Sequence, residues 1–276
     1  MTNILFDRSR VVTDWKCPRA RYWGYEHGGF GVTSDSTHLE LYEGQIIHDG
    51  LAAIALGVDI DEIAAAGTEQ LRQTLLANTA SEPEADYFAA EQCALVEGLL
   101  RGFKRIVWPS LQARFPKVVA VEPEMLYKYN GLTFMSKPDL LVDDIDDNLV
   151  YVEYKSTSSN KEQWVNSWST AVQLHSTIRA VEATLGRKVE SIIVQGLYKG
   201  YVSYGKQGSP FCYAYFKPAE PPFVKQEVLA YEYKAGLKRV PTWERPGGVK
   251  AWVANMPEQI LLNQFPQTPP IFLNEE

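Results

Sequence analysis

Hydrophobic side chains change their spacing part-way along this chain. Up to Phe115 they recur at helical intervals, and from Lys117 to Thr157 they fall in β-branched and aromatic runs. In "THLELYEGQIIHDGLAAIAL", Leu41, Ile47, Leu51 and Ile54 are roughly helically spaced, which places His48 on a helix. "DIDEIAAAGTEQLRQTLLANTA" predicts a second helix, with Asp61 and Glu62 at its electropositive start. Ser81 is the expected N-cap of a long amphipathic helix ending near Phe115, before Pro116.

"KVVAVEPEMLYKY", "LTFMSKPDLLVDD" and "NLVYVEYKST" then predict three antiparallel strands. They are joined at Asn130-Gly131, a strong hairpin signal, and at an acidic turn from Asp143 to Asp147. "KEQWVNSWSTAVQLHSTIRAVEATLG" predicts one helix with Trp164, Trp168, Val172, His175 and Ile178 or Arg179 along one side and Gly186 as its stop. "KVESIIVQGLYKGY" reads as a further strand, and "YVSYGKQGSPFCYAYFKP" as one or two more. The predicted order is α-β-β-β-α-β, with added N- and C-terminal pieces and frequent proline after Lys217.

Composition narrows the class. The 276 residues are 45% hydrophobic and 12% aromatic, enough for a packed core and too apolar for disorder. No apolar run is long enough to span a membrane, and "MTNILFDRSRVVTDW" lacks the apolar region of a signal peptide, so a cytoplasmic protein is expected. Cys17, Cys93 and Cys212 are scattered and form neither a disulfide framework nor a CxxC metal pair. Twenty-seven Lys and Arg against 34 Asp and Glu give a net charge of −7, which argues against coating nucleic acid through bulk charge. A local basic groove remains compatible with that balance.

The candidate chemistry lies in "SKPDLLVDDIDDNLVYVEYKST". Asp139 and Glu153 stand in apolar runs, where an ionised carboxylate is costly. If residues 138–142 pair with 150–156, Asp139 and Glu153 become neighbours. Strand alternation then puts Glu153 and Lys155 on one face and Tyr154 on the other. Two carboxylates and a lysine converging in a cleft call for a hard divalent cation, with Lys155 free to stabilise charge on a phosphoryl group. The acidic turn does not read as a calcium loop, because Leu149 and Lys155 stand where glycine and glutamate are needed. It reads as a solvated hairpin end. His27, His38 and His175 carry no such context.

The "PD" of Pro138-Asp139 followed by a strand, a turn and "ExK" resembles the PD-(D/E)xK nuclease superfamily. That resemblance implies a restriction-endonuclease-like α-β-β-β-α-β core, with a mixed sheet flanked by helices. Three further features are similar to its RecB-like exonuclease branch: "CPRARY" near the N-terminus, Gly44 followed four residues later by His48, and Gln173 on the helix after the ExK strand. The resemblance covers roughly residues 9–200. It implies that His48, Asp139, Glu153 and the Tyr154 carbonyl hold a Mg²⁺ or Mn²⁺ ion, that Lys155 is the catalytic lysine, and that Gln173 positions DNA or the lysine. Glu122 or Glu124 adds a carboxylate. Thr177 stands where the branch has tyrosine, and too few cysteines accompany Cys17 for the iron–sulfur cluster of some members.

The expected organisation is one nuclease domain over 1–276, comprising a helical part (1–85) with the histidine, a catalytic core (86–200) and C-terminal strands with an extension (201–276). The expected activity is metal-dependent hydrolysis of DNA phosphodiesters, by an exonuclease acting in recombination, repair or phage DNA processing in a bacterial or phage-infected cell. DNA with free ends is the expected partner, alongside a recombination or single-strand-binding protein. Arg19 and Arg21, and Lys238, Arg239 and Trp243 within "EYKAGLKRVPTWERPGGVKAW", are the candidate DNA-binding residues, since cations hold a backbone and aromatics stack on bases. Trp164 and Trp168 are expected in the core. The rivals are an idle member of the fold that binds nucleic acid or a protein, and a two-carboxylate hydrolase acting on sugars.

Overall fold

The computed structural model describes residues 5–6, 8–27, 31, 39–78, 83–158, 161–168, 171–200, 209–216, 231 and 236–272. Ser81, His38 and the strand expected at Tyr201–Gly208 fall outside them. A short strand β1 (Leu5–Phe6) precedes α1 (Arg8–Lys16), α2 (Pro18–Arg21) and a π-helical turn (Tyr22–Glu26). Three helices follow: α3 (Leu39–Ala55), α4 (Ile60–Asn78) and α5 (Pro83–Gly102). The last runs through a π-helical turn (Phe103–Val107) into α6 (Trp108–Arg114), so the long helix expected to end near Phe115 is there with one widened turn.

The strand region departs from three long strands. Each of the first two segments breaks at a proline and serves two sheets. The first splits into β2 (Lys117–Val121) and β3 (Met125–Tyr129) around Glu122-Pro123, and the second into β4 (Leu132–Ser136) and β5 (Leu140–Asp143) around Lys137-Pro138. Proline lacks the N–H a ladder needs, which is why both breaks fall there. β3 and β4 form a hairpin whose Asn130 and Gly131 have φ of 49° and 78°, the conformation that matches strand twist in a two-residue turn. β1 adds to β4 in parallel.

The main sheet uses β6 (Leu149–Thr157) and β7 (Val189–Tyr198) as well, in the order β2-β5-β6-β7. The first two pairings are antiparallel and the third is parallel. The parallel pair is bridged by α7 (Lys161–Asn166) and α8 (Val172–Leu185), because such a pair needs a crossover. The single helix read from residues 161–186 is therefore two. Trp164 and Ile178 are buried, Trp168 is partly buried, and His175 is exposed. Gly186 terminates α8 in the left-handed conformation, as its position suggested.

Alternation along β6 assigns the two faces. Val150, Val152 and Tyr154 join Ile47, Leu51, Leu99, Leu100 and Phe103 in a core under α3 to α6. Leu149 and Tyr151 join Trp164, Leu174, Ile178 and Val181 under α7 and α8. The result is a mixed four-stranded sheet between two helical layers, the expected class.

The C-terminal part is β8 (Tyr213–Phe216) paired with β9 (Lys238–Pro241), a 3₁₀ turn (Thr242–Glu244), α9 (Gly248–Asn255) and α10 (Glu258–Leu262). Arg105 donates to the Val253 and Met256 carbonyls (2.6 and 2.8 Å) and so caps α9 from the π turn. Residues 264–271 then run along the outer edge of β7, with bonds such as Gly196 N–H to the Pro266 carbonyl and Thr268 N–H to the Val194 carbonyl. That strap covers an edge that would otherwise recruit another strand.

One acidic residue was misassigned by reading the turn as a unit. Asp144 accepts the Asp146 and Asn148 N–H groups in an exposed turn, as expected of a solvated hairpin end. Asp143 is instead buried, and Lys117 (2.7 Å) and Arg187 (2.9 Å) bind its carboxylate. Burial raises the cost of its charge, but these two cations outweigh burial and hold its carboxyl below the usual value. A depressed carboxyl stabilises the fold fully above its unfolded pKa, about 3.9, and loses that contribution as pH falls through the folded value. Asp143→Asn should therefore cost about 1–2 kcal/mol at pH 7. Urea melts at pH 7 and pH 3.5 check this, with the gap to wild type expected to narrow at the lower pH.

Candidate metal centre and active site

The β5–β6 register sets the site. Leu140 pairs with Val152 and Leu141 with Tyr151, so Asp139, one residue before β5, stands across from Glu153. Asp139 Oδ2 accepts the Tyr154 backbone N–H at 2.7 Å, a side chain filling a ladder position. Asp139 Oδ1 faces His48 Nδ1 at 3.1 Å, and the Asp139 carbonyl accepts the Glu122 N–H at 3.0 Å.

α3 brings His48 to that point from the layer above the sheet. It packs closely on α5 at Gly50, where a side chain would meet Leu100. At Gly44, by contrast, a Cβ would meet nothing within 4 Å, so packing does not explain a glycine there. Glu122 arrives from the β2–β3 break with a positive φ of 46°, a conformation uncommon for glutamate and costing about 1 kcal/mol or more. Its carboxylate pairs with Lys137.

One atom from each of His48, Glu122 and Asp139 lies within 4.8 Å of the others, the one such metal-competent group of three among the described residues. His48, Glu122 and Asp139 are the residues that would hold a divalent ion here. The donors, one imidazole and two carboxylates, fit a divalent ion that keeps the rest of its shell for water or substrate. Burial tends to lower the His48 pKa, but the Asp139 bond and charge outweigh it and leave the imidazole raised. The Asp139 carboxyl is pushed up by burial and pulled down further by His48, Lys155 and the Tyr154 N–H, leaving it lowered.

Glu153 occupies a neighbouring compartment. Its side chain is 2% exposed, and it is ion-paired to Lys155 through Oε1. The same oxygen accepts Gln173 Nε2 at 2.6 Å from the first turn of α8, and Oε2 accepts the Tyr151 hydroxyl. Burial, then the charge of Asp139, push the Glu153 carboxyl well above its ordinary value, against the pull of Lys155 and His48. Expected as a ligand beside His48 and Asp139, Glu153 instead stands next to that group, held by three donors, and Glu122 takes its place among the three.

The other expectations divide. Glu153 and Lys155 share a face and Tyr154 turns away into the core, edge-on to Phe103. Glu124 is exposed and outside the cluster, so Glu122 is the carboxylate the fold brings in. Gln173 donates to Glu153 Oε1, the oxygen that also pairs with Lys155. Thr177, at the position occupied by tyrosine in the resembled motif, is buried and its hydroxyl meets Ser136 at 2.8 Å, tying α8 to β4. Tyr151 went unread, although its position two residues before Glu153 already placed it on that face.

Among the candidate DNA-binding residues, Arg19 is exposed, whereas Arg21 is bound by Asp14 (2.7 Å) and Glu26. Lys238 and Arg239 are exposed on β9, with Arg239 over the Tyr213 ring. Trp243 packs against Tyr87 and Tyr213, and Trp252 is buried beneath Arg245. Both rings serve the packing of α5 and α9, with Trp243 partly exposed.

A family model for the PD-(D/E)XK nuclease superfamily matches residues 9–240. The chain belongs to that superfamily. Asp139, Glu153 and Lys155 lie within the matched residues, on a strand pair. Members use divalent metal ions, and the His48–Glu122–Asp139 group is where this chain offers such a site. No curated protein sequence matches the chain. The crystal structure of SSO0001 overlaps 50% of this chain and 72% of its own, at 12% identity and a TM-score of 0.26. No helix among the described residues is long and apolar enough to cross a membrane.

If the cluster holds the ion, saturating Mn²⁺ should raise the thermal midpoint of the wild type, since a ligand at 100 times its Kd adds about 2.7 kcal/mol. Asp139→Asn and His48→Ala should lose that increment and Glu122→Gln most of it, as read by differential scanning fluorimetry with and without EDTA. An undiminished Mn²⁺ shift in Asp139→Asn would place the ion elsewhere.

Proposed function

We propose that this chain is a Mg²⁺- or Mn²⁺-dependent deoxyribonuclease of the RecB-like branch, an exonuclease that processes DNA ends in recombination, repair or phage replication. The observation that supports it most directly is the strand register that sets Asp139 against Glu153–Lys155 while α3 supplies His48. The spacing of Gly44 and His48 and the reach of Gln173 into the same site support the RecB-like assignment.

The chain's own groups divide the work. His48, Glu122 and Asp139 are the residues that would hold the ion. When bound, a divalent cation supplies Lewis acidity and neutralises charge at a scissile phosphate. Lys155 is fixed against Glu153, from where its ammonium can donate to an attacking water or to a phosphate oxygen. Gln173 and Tyr151 lock the Glu153 rotamer and thereby the position of Lys155. Glu153, beside that group, would be a further carboxylate for the ion. The apolar strands bury Glu153 and strengthen its charge interactions, while Lys155 stays partly exposed.

An idle, nucleic-acid-binding member of the fold is the alternative, and the three donors already satisfying Glu153 are the observation in its favour. One gel decides between them. Linear DNA labelled at either end, in single- and double-stranded form, and covalently closed circles are incubated with Mg²⁺, Mn²⁺ or EDTA. Linear DNA is expected to shorten from an end with either metal, and circles to survive. Lys155→Ala and Glu153→Gln should each slow cleavage about 10²- to 10³-fold or more. Wild-type rates in both variants, or no cleavage under any metal, would sink the proposal.

A further inference from the structure

α1, α2 and the π turn form a helical arm with an unusual surface. Trp15 is 85% exposed, and Val11, one turn earlier on the same side of α1, is exposed too. Tyr22 and Trp23 are each nearly half exposed and stand edge to face at 5.5 Å, and one side of Trp23 packs on His27 at 4.5 Å. α2 and the π turn bury no residue. Large apolar side chains so exposed mark a binding surface more often than chance.

The charge of the arm says what it binds. Residues 8–27 carry five basic residues (Arg8, Arg10, Lys16, Arg19 and Arg21) against Asp14 and Glu26, in a chain whose net charge is −7. Two of the five serve the arm's own fold: Arg21 ties α1 to the π turn through Asp14 and Glu26, and Arg10 lies over the Tyr25 ring at 5.2 Å. Lys16 and Arg19 are exposed beside Trp15 and Tyr22 in sequence. Open aromatic rings interleaved with cations suit unpaired bases on a phosphate backbone. A duplex hides the faces of its bases.

The topology puts the arm near the metal group. β1 pairs in parallel with β4, Leu5 with Thr133 and Phe6 with Phe134, so the chain enters α1 in the direction in which β4 runs into Asp139. Asp139 lies five residue steps after Phe134, a span of no more than about 18 Å. The arm therefore leaves the small sheet at the end that holds the cluster.

We infer that this arm is a binding site for single-stranded nucleic acid, with Trp15 and Trp23 stacking on bases and Lys16 and Arg19 holding the backbone, and that it feeds an unpaired end to the metal group. The inference rests on the nuclease reading for its purpose but is tested by binding alone. Anisotropy of a labelled oligo-dT and of an equally long hairpin duplex is measured in EDTA, where nothing is cut. Trp15→Ala and Trp23→Ala should each weaken oligo-dT binding about 5- to 100-fold while changing duplex binding less than about twofold, and Trp15→Phe should retain most of the affinity. The salt slope should be unchanged in Trp15→Ala and should fall by about 0.7 for each of Lys16→Ala and Arg19→Ala. Wild-type oligo-dT affinity in the tryptophan variants, equal losses on both ligands, or no oligo-dT binding by the wild type overturns the inference. Hydrolysis of bis(p-nitrophenyl) phosphate with Mn²⁺, a diester without bases, is read in parallel. Its absence in the wild type would count against the nuclease reading alone.

Discussion

Asp139 is the residue on which three separately built parts of this protein meet. One carboxylate oxygen takes the Tyr154 amide of the central strand, the other faces His48 of α3, and the carbonyl takes the amide of Glu122 at the bend between two sheets. Each contact alone is an ordinary hydrogen bond worth about 1 kcal/mol. Together they bring a helix, a strand pair and a strained bend to within a few ångströms. The cluster is a consequence of that junction, because neither His48 nor Glu122 is close in sequence to Asp139.

The cost of the junction shows in its ionisation. Burial and the neighbouring Asp139 charge hold the Glu153 carboxyl above its usual range, and only Lys155, Tyr151 and Gln173 keep a charge there tolerable. Glu122 adds a left-handed backbone conformation. Strain and a destabilised carboxylate at one spot are expected where a fold is organised around a ligand rather than for its own stability. The contrast with Asp143 is instructive. It is equally buried, but its two cations satisfy it fully, and its carboxyl is lowered instead of raised.

Much of this was legible in the chain. A strand repeats every two residues, so "VEYKS" already put Glu153 and Lys155 on one face and Tyr154 on the other, and the short acidic turn already set Asp139 opposite Glu153. The helix bearing His48 followed from its apolar spacing. Misreadings arose where local pattern is ambiguous. "KVVAVEPEMLYKY" reads as one strand because both halves are β-formers, and only pairing with different partners shows the division at Glu122-Pro123. Residues 161–186 read as one helix because Trp164, Trp168 and Val172 keep helical spacing across the break. That Trp243 packs on Tyr87, more than 150 residues earlier, is likewise something a sequence does not say.

The sequence by itself determined most of the elements and the faces of β6, with Glu153 and Lys155 on one of them, since periodicity and turn chemistry act over a few residues. Only the tertiary structure decided which acids gather. Glu122 joins His48 and Asp139, Glu153 is held apart by Tyr151 and Gln173, Asp143 goes to Lys117 and Arg187, and Trp15 is left in solvent. Those outcomes depend on contacts between residues tens of positions apart, set by how helical layers and a bent pair of sheets pack, and no short-range pattern encodes them.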